Sequence, residues 1–200
     1  MKNKKWAAGD LALCGLFSAL TAVGAFIQVT IPVQPTPMHI TLQFFFVLLA
    51  GLLLGARRSL ASVGVYLAVG LCGIPVFASG GGPAYLLKPT FGFLLGFAAA
   101  AFTAGAIFER QRRITFPGLF WAALGGLFAD YGCGMVYFYF CSNYVLHVQV
   151  GWKLVFINCF LLTVWADLVL CVLAAALARR LVPAIGELTA GAAGRRAVIR

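Results

Sequence analysis

Two aspartates stand in the middle of apolar runs, Asp130 in FWAALGGLFADYGCGMVY and Asp167 in FLLTVWADLVLCVL. A charged side chain at the centre of a membrane span costs about 2.5 to 3.5 kcal/mol on insertion scales and as a rule faces a protein interior or a ligand. Helical spacing sets Asp130, Gly134 and Tyr137 on one stripe with Tyr131 on the adjoining face, and Thr163, Asp167 and Leu170 or Cys171 on another. Such a pair could act as an acid and base, relay protons, hold a polar ligand, or simply bond to a neighbouring helix. No nucleophile motif and no HExxH accompany them. A second chemically suggestive stretch is VFASGGGPAYLLKPT, residues 76 to 90, which combines Gly80, Gly81 and Gly82 with two prolines and Lys88. Glycine admits positive φ and lets backbone N–H groups approach a bound molecule.

The elements that must position these residues are membrane helices. Of the 200 residues 62% are hydrophobic and 10% charged, and the mean hydropathy is +0.98, which places the chain outside the soluble class. Six apolar stretches fit, at roughly 8–30, 40–56, 59–75, 90–108, 116–140 and 154–178. The second and third are short, and five crossings is the alternative. Of the 15 basic residues, 13 fall at one side if the chain crosses six times: Lys2, Lys4, Lys5, Arg57, Arg58, Arg110, Arg112, Arg113, Arg179, Arg180, Arg195, Arg196 and Arg200. The positive-inside bias makes that side the cytoplasm, so the net charge of +10 reports topology and not nucleic-acid binding. The expected fold is therefore an all-α membrane protein with both termini cytoplasmic, a single domain over 1–182 and a basic cytoplasmic tail over 183–200.

The N-terminus also resembles a cleavable signal peptide ending near Ala25, but its removal would leave five spans and break the charge pattern. The six cysteines show neither CxxC nor a metal-like pairing with His39 or His147, so no disulfide, metal or cofactor is expected. Three elaborate connections, at 30–40, 76–90 and 141–151, share the outer side and suggest a lined pocket. Irregular backbone at membrane depth must line protein or an aqueous cavity. The other reading of the 76–90 loop is a flexible surface segment.

GLFSALTAVGAFIQVTIP, ITLQFFFVLLAGLLLGARR, GIPVFASGGG, PTFGFLLGF and YGCGMVY resemble, in order and spacing over about residues 10–182, the BioY family of biotin-binding membrane proteins. These are the S components of energy-coupling factor (ECF) transporters. The resemblance implies a six-transmembrane-helix bundle of the S-component type in the bacterial cytoplasmic membrane. It also implies a non-enzymatic role in high-affinity biotin uptake, and association with a transmembrane coupling protein and two ATPase subunits. The GxxxxGK[ST] phosphate loop is absent from this sequence.

Residue by residue, Gly15 and Ala19 match the small-residue pair at the family's coupling-protein interface. Gly80, Gly81, Gly82 and Thr90 match its glycine-rich loop and GPTGG element, Tyr131 its Tyr-x-x-Gly, and Asp167 the aspartate of PGDLxK. Together with Tyr85 and Lys88 these form the expected substrate-binding set. Two departures stand out. Leu170 occupies the position of the family lysine, and Lys88 occupies a family glycine position. Lys88 is accordingly expected to meet the ligand carboxylate, with snorkelling to headgroup phosphates as the alternative. A buried cyclic urea needs acceptors for its N–H groups and donors for its oxygen, which Asp167, Tyr131 and loop N–H groups can supply. Phe77, Tyr85, Phe91 and Trp165 are available to cover its apolar parts. Other readings are an S component for a related carboxylate-bearing vitamin such as lipoate and, more remotely, an intramembrane enzyme using Asp130 and Asp167. A homo-oligomer stays open.

Overall fold

The computed structural model describes residues 8–32, 37–111 and 113–190, with side chains through 183. Lys2, Lys4, Lys5, Arg112, Arg195, Arg196 and Arg200 lie outside the described residues. Long apolar segments become helices because nearly every backbone group can be satisfied inside the segment. They are α1 (Ala8–Gly24), α2 (Gln43–Leu54), α3 (Ala56–Leu71), α4 (Phe91–Glu109) and α5 (Phe116–Phe140). Next come the short α6 (Trp152–Val155) and the long α7 (Val164–Ala190). The π-helical stretch Phe156–Leu161 leads from α6 toward α7, so the two form one interrupted rod and the described residues make a bundle of six. Among the described residues three rods are long and apolar enough to cross a membrane by themselves: Phe91–Glu109, Phe116–Val145 and Trp152–Pro183. α1 and α2 are shorter apolar helices.

The spans match the apolar stretches expected from the sequence, with two exceptions. The first span ends at Gly24 rather than near residue 30, because the chain turns into strand β1 (Gln28–Ile31), paired antiparallel with β2 (Met38–Thr41). This hairpin replaces the irregular loop expected at 30–40. The second exception is the sixth span, which breaks at residues 156–163. α7 continues through Pro183 to Ala190.

α4 and α5 pack most intimately, and small residues are the reason. A Cβ at Gly92 would lie 2.4 Å from the Cβ of Tyr137, and one at Gly96 would lie 2.8 Å from the backbone oxygen of Asp130. With Ala100 and Ala104 completing the i, i+4 row, the two backbones approach closely enough to carry Asp130 and Tyr131 to the centre of the bundle. At the basic end, Arg58 pairs with the buried Asp10 at 2.8 Å and ties α3 to α1. Glu109 Oε1 accepts from the Ala56 N–H at 3.1 Å, tying α4 to α3.

Candidate functional site

The opposite end of the bundle carries the elaborate segments, as the sequence suggests. The hairpin and the glycine loop are stapled together. Gln28 Nε2 donates to the Ala78 carbonyl at 3.1 Å, and His39 Nε2 lies 2.9 Å from Ser79 Oγ. His39 Nδ1 lies 2.9 Å from Thr30 Oγ1 across the hairpin, so both ring nitrogens are engaged. Tyr137 donates to the Leu86 carbonyl at 2.6 Å, fixing the loop to α5. Met38 packs with Phe138, Val150 and Val155, which brings in the third connection.

Beneath this cover lies a cavity of about 670 Å³, counted with the open space at its mouth. Its deep end holds Asp130, Tyr131, Thr163 and Asp167, and its upper wall holds His39, Thr41, Gln43, Tyr85 and Thr90. Phe93, Leu94 and Phe97 of α4 give it an apolar side. Tyr131 is the hub of the deep end. Its hydroxyl donates to Asp167 Oδ2 at 2.5 Å and lies 2.7 Å from Thr163 Oγ1, while Thr163 donates to the Cys159 carbonyl at 2.7 Å. The break at 156–163 places Thr163 and Asp167 for this: Asp167 sits in the first turn of α7, its N–H bonded to the Thr163 carbonyl. Gln43 is held by a short hydrogen bond from its Nε2 to Tyr66 Oη and accepts from Thr41 Oγ1 at 3.3 Å. Burial first, and the cation of Lys88 second, push His39 below the ordinary imidazole range, so its ring is neutral at pH 7.

Four of the eight substrate-binding residues expected from the sequence, Tyr85, Thr90, Tyr131 and Asp167, line this cavity. Gly80, Gly81, Gly82 and Lys88 are not among its lining residues. Gly80 and Gly82 take φ of 110° and 96°, a region costly for other residues. Their N–H groups are spent on the protein itself, Gly80 on the Phe77 carbonyl of the loop at 3.1 Å and Gly82 on the Gly70 carbonyl of α3 at 2.8 Å. A Cβ at Gly81 would lie 2.3 Å from the Ile74 carbonyl oxygen. These glycines therefore shape the cover. Lys88 Nζ donates to the Ser79 carbonyl at 3.1 Å and sits 4.5 Å from the centre of the ring of Tyr85, itself a lining residue. Of the expected aromatic cover only Tyr85 lines the cavity. Phe77 and Phe91 are core, packed around Tyr85, and Trp165 is 70% exposed on the outside of the bundle. His39, Thr41 and Gln43 carried no signal in the sequence, because their placement depends on a hairpin that the sequence does not announce.

The BioY family model matches residues 1–187. The chain belongs to the BioY family. Among its relatives, the "Probable biotin transporter BioY" of Lysinibacillus sphaericus is 42% identical over 172 residues, covering 86% of each chain. The "Biotin transporter BioY" of Thermotoga maritima is 36% identical over 178 residues, covering 86% of this chain and 95% of that one. A solved structure, the S-component for biotin from an ECF-type ABC transporter, superposes with a TM-score of 0.77 at 25% identity, covering 90% of this chain and 94% of its own. The chain is thus an all-α membrane protein of the S-component fold, in a family of transport components and not of enzymes. That displaces the intramembrane-enzyme reading of Asp130 and Asp167, and the relatives named here give no support to lipoate.

Proposed function

We propose that this chain is the substrate-binding component of a biotin uptake system in a bacterial cytoplasmic membrane, with the cavity opening outward and the basic end facing the cytoplasm. The observation that carries this reading is the Tyr131–Asp167–Thr163 network at the floor of a cavity capped by the hairpin and the glycine loop, in a chain of this family. Asp167, already holding one O–H donor, accepts from a ring N–H of biotin, and Tyr131 fixes its orientation. Phe93, Leu94 and Phe97 cover the apolar ring, and Tyr85 and Thr90 flank the chain toward the mouth. Lys88 meets the ligand carboxylate there: its ammonium donates to the exposed Ser79 carbonyl, and a short swing releases it. In this way it takes over from the lysine that Leu170 replaces.

Uptake then requires a transmembrane coupling protein and two ATPases. Gly15 and Ala19 lie exposed on α1, with nothing within 4 Å of a Cβ built at Gly15, and supply a smooth face for the coupling protein. Thermal unfolding in detergent across a panel of vitamins tests the ligand. Biotin at about 100 times its Kd stabilises the fold by about 2.7 kcal/mol, a shift of roughly 5 to 10 °C for a chain of this size. A panel in which another vitamin shifts the transition and biotin does not contradicts the assignment. Affinity for biotin falling with Lys88→Ala, while affinity for the biotin amide stays put, supports the lysine's role; equal affinities for biotin before and after the change remove it.

A further inference from the structure

The deep end of the cavity contains a group that the reading above leaves unused. Asp130 is 4% exposed, lines the cavity, and its Oδ1 is buried without a hydrogen-bond partner. Room for it is built in: a Cβ at Gly96 of α4 would stand 2.2 Å from that oxygen. Its cavity neighbour Asp167 is the carboxyl that receives the Tyr131 O–H, and no lysine or arginine lines the cavity among the described residues. A cyclic urea seated there presents N–H groups, which Asp167 can accept, and a carbonyl oxygen, which needs a donor. The nearby hydroxyls are committed, Tyr131 to Asp167 and Thr163 to the Cys159 carbonyl, and the N–H groups of Gly80 and Gly82 are spent on the Phe77 and Gly70 carbonyls. Two ionised carboxylates buried around one neutral ring are strongly unfavourable, whereas one acid and one carboxylate present a donor and an acceptor.

Resting on the biotin reading, we propose that Asp130 is a second ligand-binding and specificity-determining residue, donating from its carboxylic O–H to the ring oxygen while Asp167 accepts from a ring N–H. The pair reads the two polarities of a urea from two helices, and it discriminates against ligands whose ring lacks an acceptor at that point.

The test is biotin affinity, by calorimetry on detergent-solubilised protein, for Asp130→Asn, Asp130→Ala and Asp130→Leu. Asparagine keeps a donor in the same place, so its Kd stays within about threefold, while alanine and leucine weaken binding at least tenfold. All three matching the wild type overturns the proposal, as does asparagine losing as much as alanine. Should the alanine and leucine variants not fold, infrared difference spectra recorded on adding biotin to wild type and to Asp130→Asn decide it. The wild type shows a shifted protonated-carboxyl band that the asparagine variant lacks, and its absence from the wild-type spectrum overturns the proposal. Wild-type protein that does not bind biotin fails the earlier reading. Protein that binds biotin with indifferent Asp130 variants fails this inference alone.

Discussion

Tyr131 is the residue on which the floor of the cavity turns, since one hydroxyl serves both Thr163 and Asp167. Removing it with Tyr131→Phe leaves Asp167 buried without its donor. Hydrogen bonds to charged groups are worth about 1.5 to 3 kcal/mol, so biotin affinity should fall roughly 10- to 150-fold, measured by calorimetry, with the helical content unchanged. Asp167 and Tyr131 were legible in the sequence because a charge within an apolar run, and an aromatic hydroxyl one helix away, have few uses in a membrane. Gly80, Gly81 and Gly82 were legible as a special backbone but not as to their purpose. The same φ freedom that exposes N–H groups to a ligand also lets a loop bond to its own scaffold, and here Gly80 bonds to Phe77 in the loop and Gly82 to Gly70 at the end of α3.

Among the elements, the α4–α5 pair and the hairpin cover decide whether the site exists. Gly96→Ala drives a methyl into Asp130, and overpacking of this kind costs about 1 to 3 kcal/mol. The expected result is a lower unfolding temperature in detergent and weaker biotin binding together. The cover should also respond to pH. Because His39 titrates below its unfolded value near 6.5, the unfolded form takes up its proton first. The stability it contributes is complete above about pH 6.5 and is lost as pH falls through its folded-state value. Protection factors of the hairpin amides, taken against the intrinsic exchange rate at each pH, should therefore fall on acidification in the wild type, and much less so in His39→Gln. Helices with an all-round apolar surface were readable by length and composition alone. The hairpin was not, because strands of four residues set among Pro32, Pro35 and Pro37 leave too little alternation to see. The break at 156–163 was hidden for the opposite reason: a uniformly apolar run gives no mark where its hydrogen-bonding register changes.

At the scale of the whole molecule the two ends have separate tasks, a ligand cavity under the hairpin and a basic end knitted by Asp10–Arg58 and Glu109–Ala56. The exposed small-residue face of α1 lies apart from the cavity lining. Gly15→Leu should thus leave biotin affinity within about twofold while abolishing ATP-driven uptake in cells carrying the coupling protein and ATPases. Loss of binding in the purified variant would place Gly15 in the bundle's own packing instead. Under the proposed function, the cavity floored by Tyr131 and Asp167 holds one biotin. Calorimetric titration of the purified wild-type chain with biotin measures this. One molecule per chain with submicromolar affinity, reduced at least tenfold in Asp167→Ala, is the predicted outcome; absence of saturable binding, or binding untouched by that substitution, contradicts it.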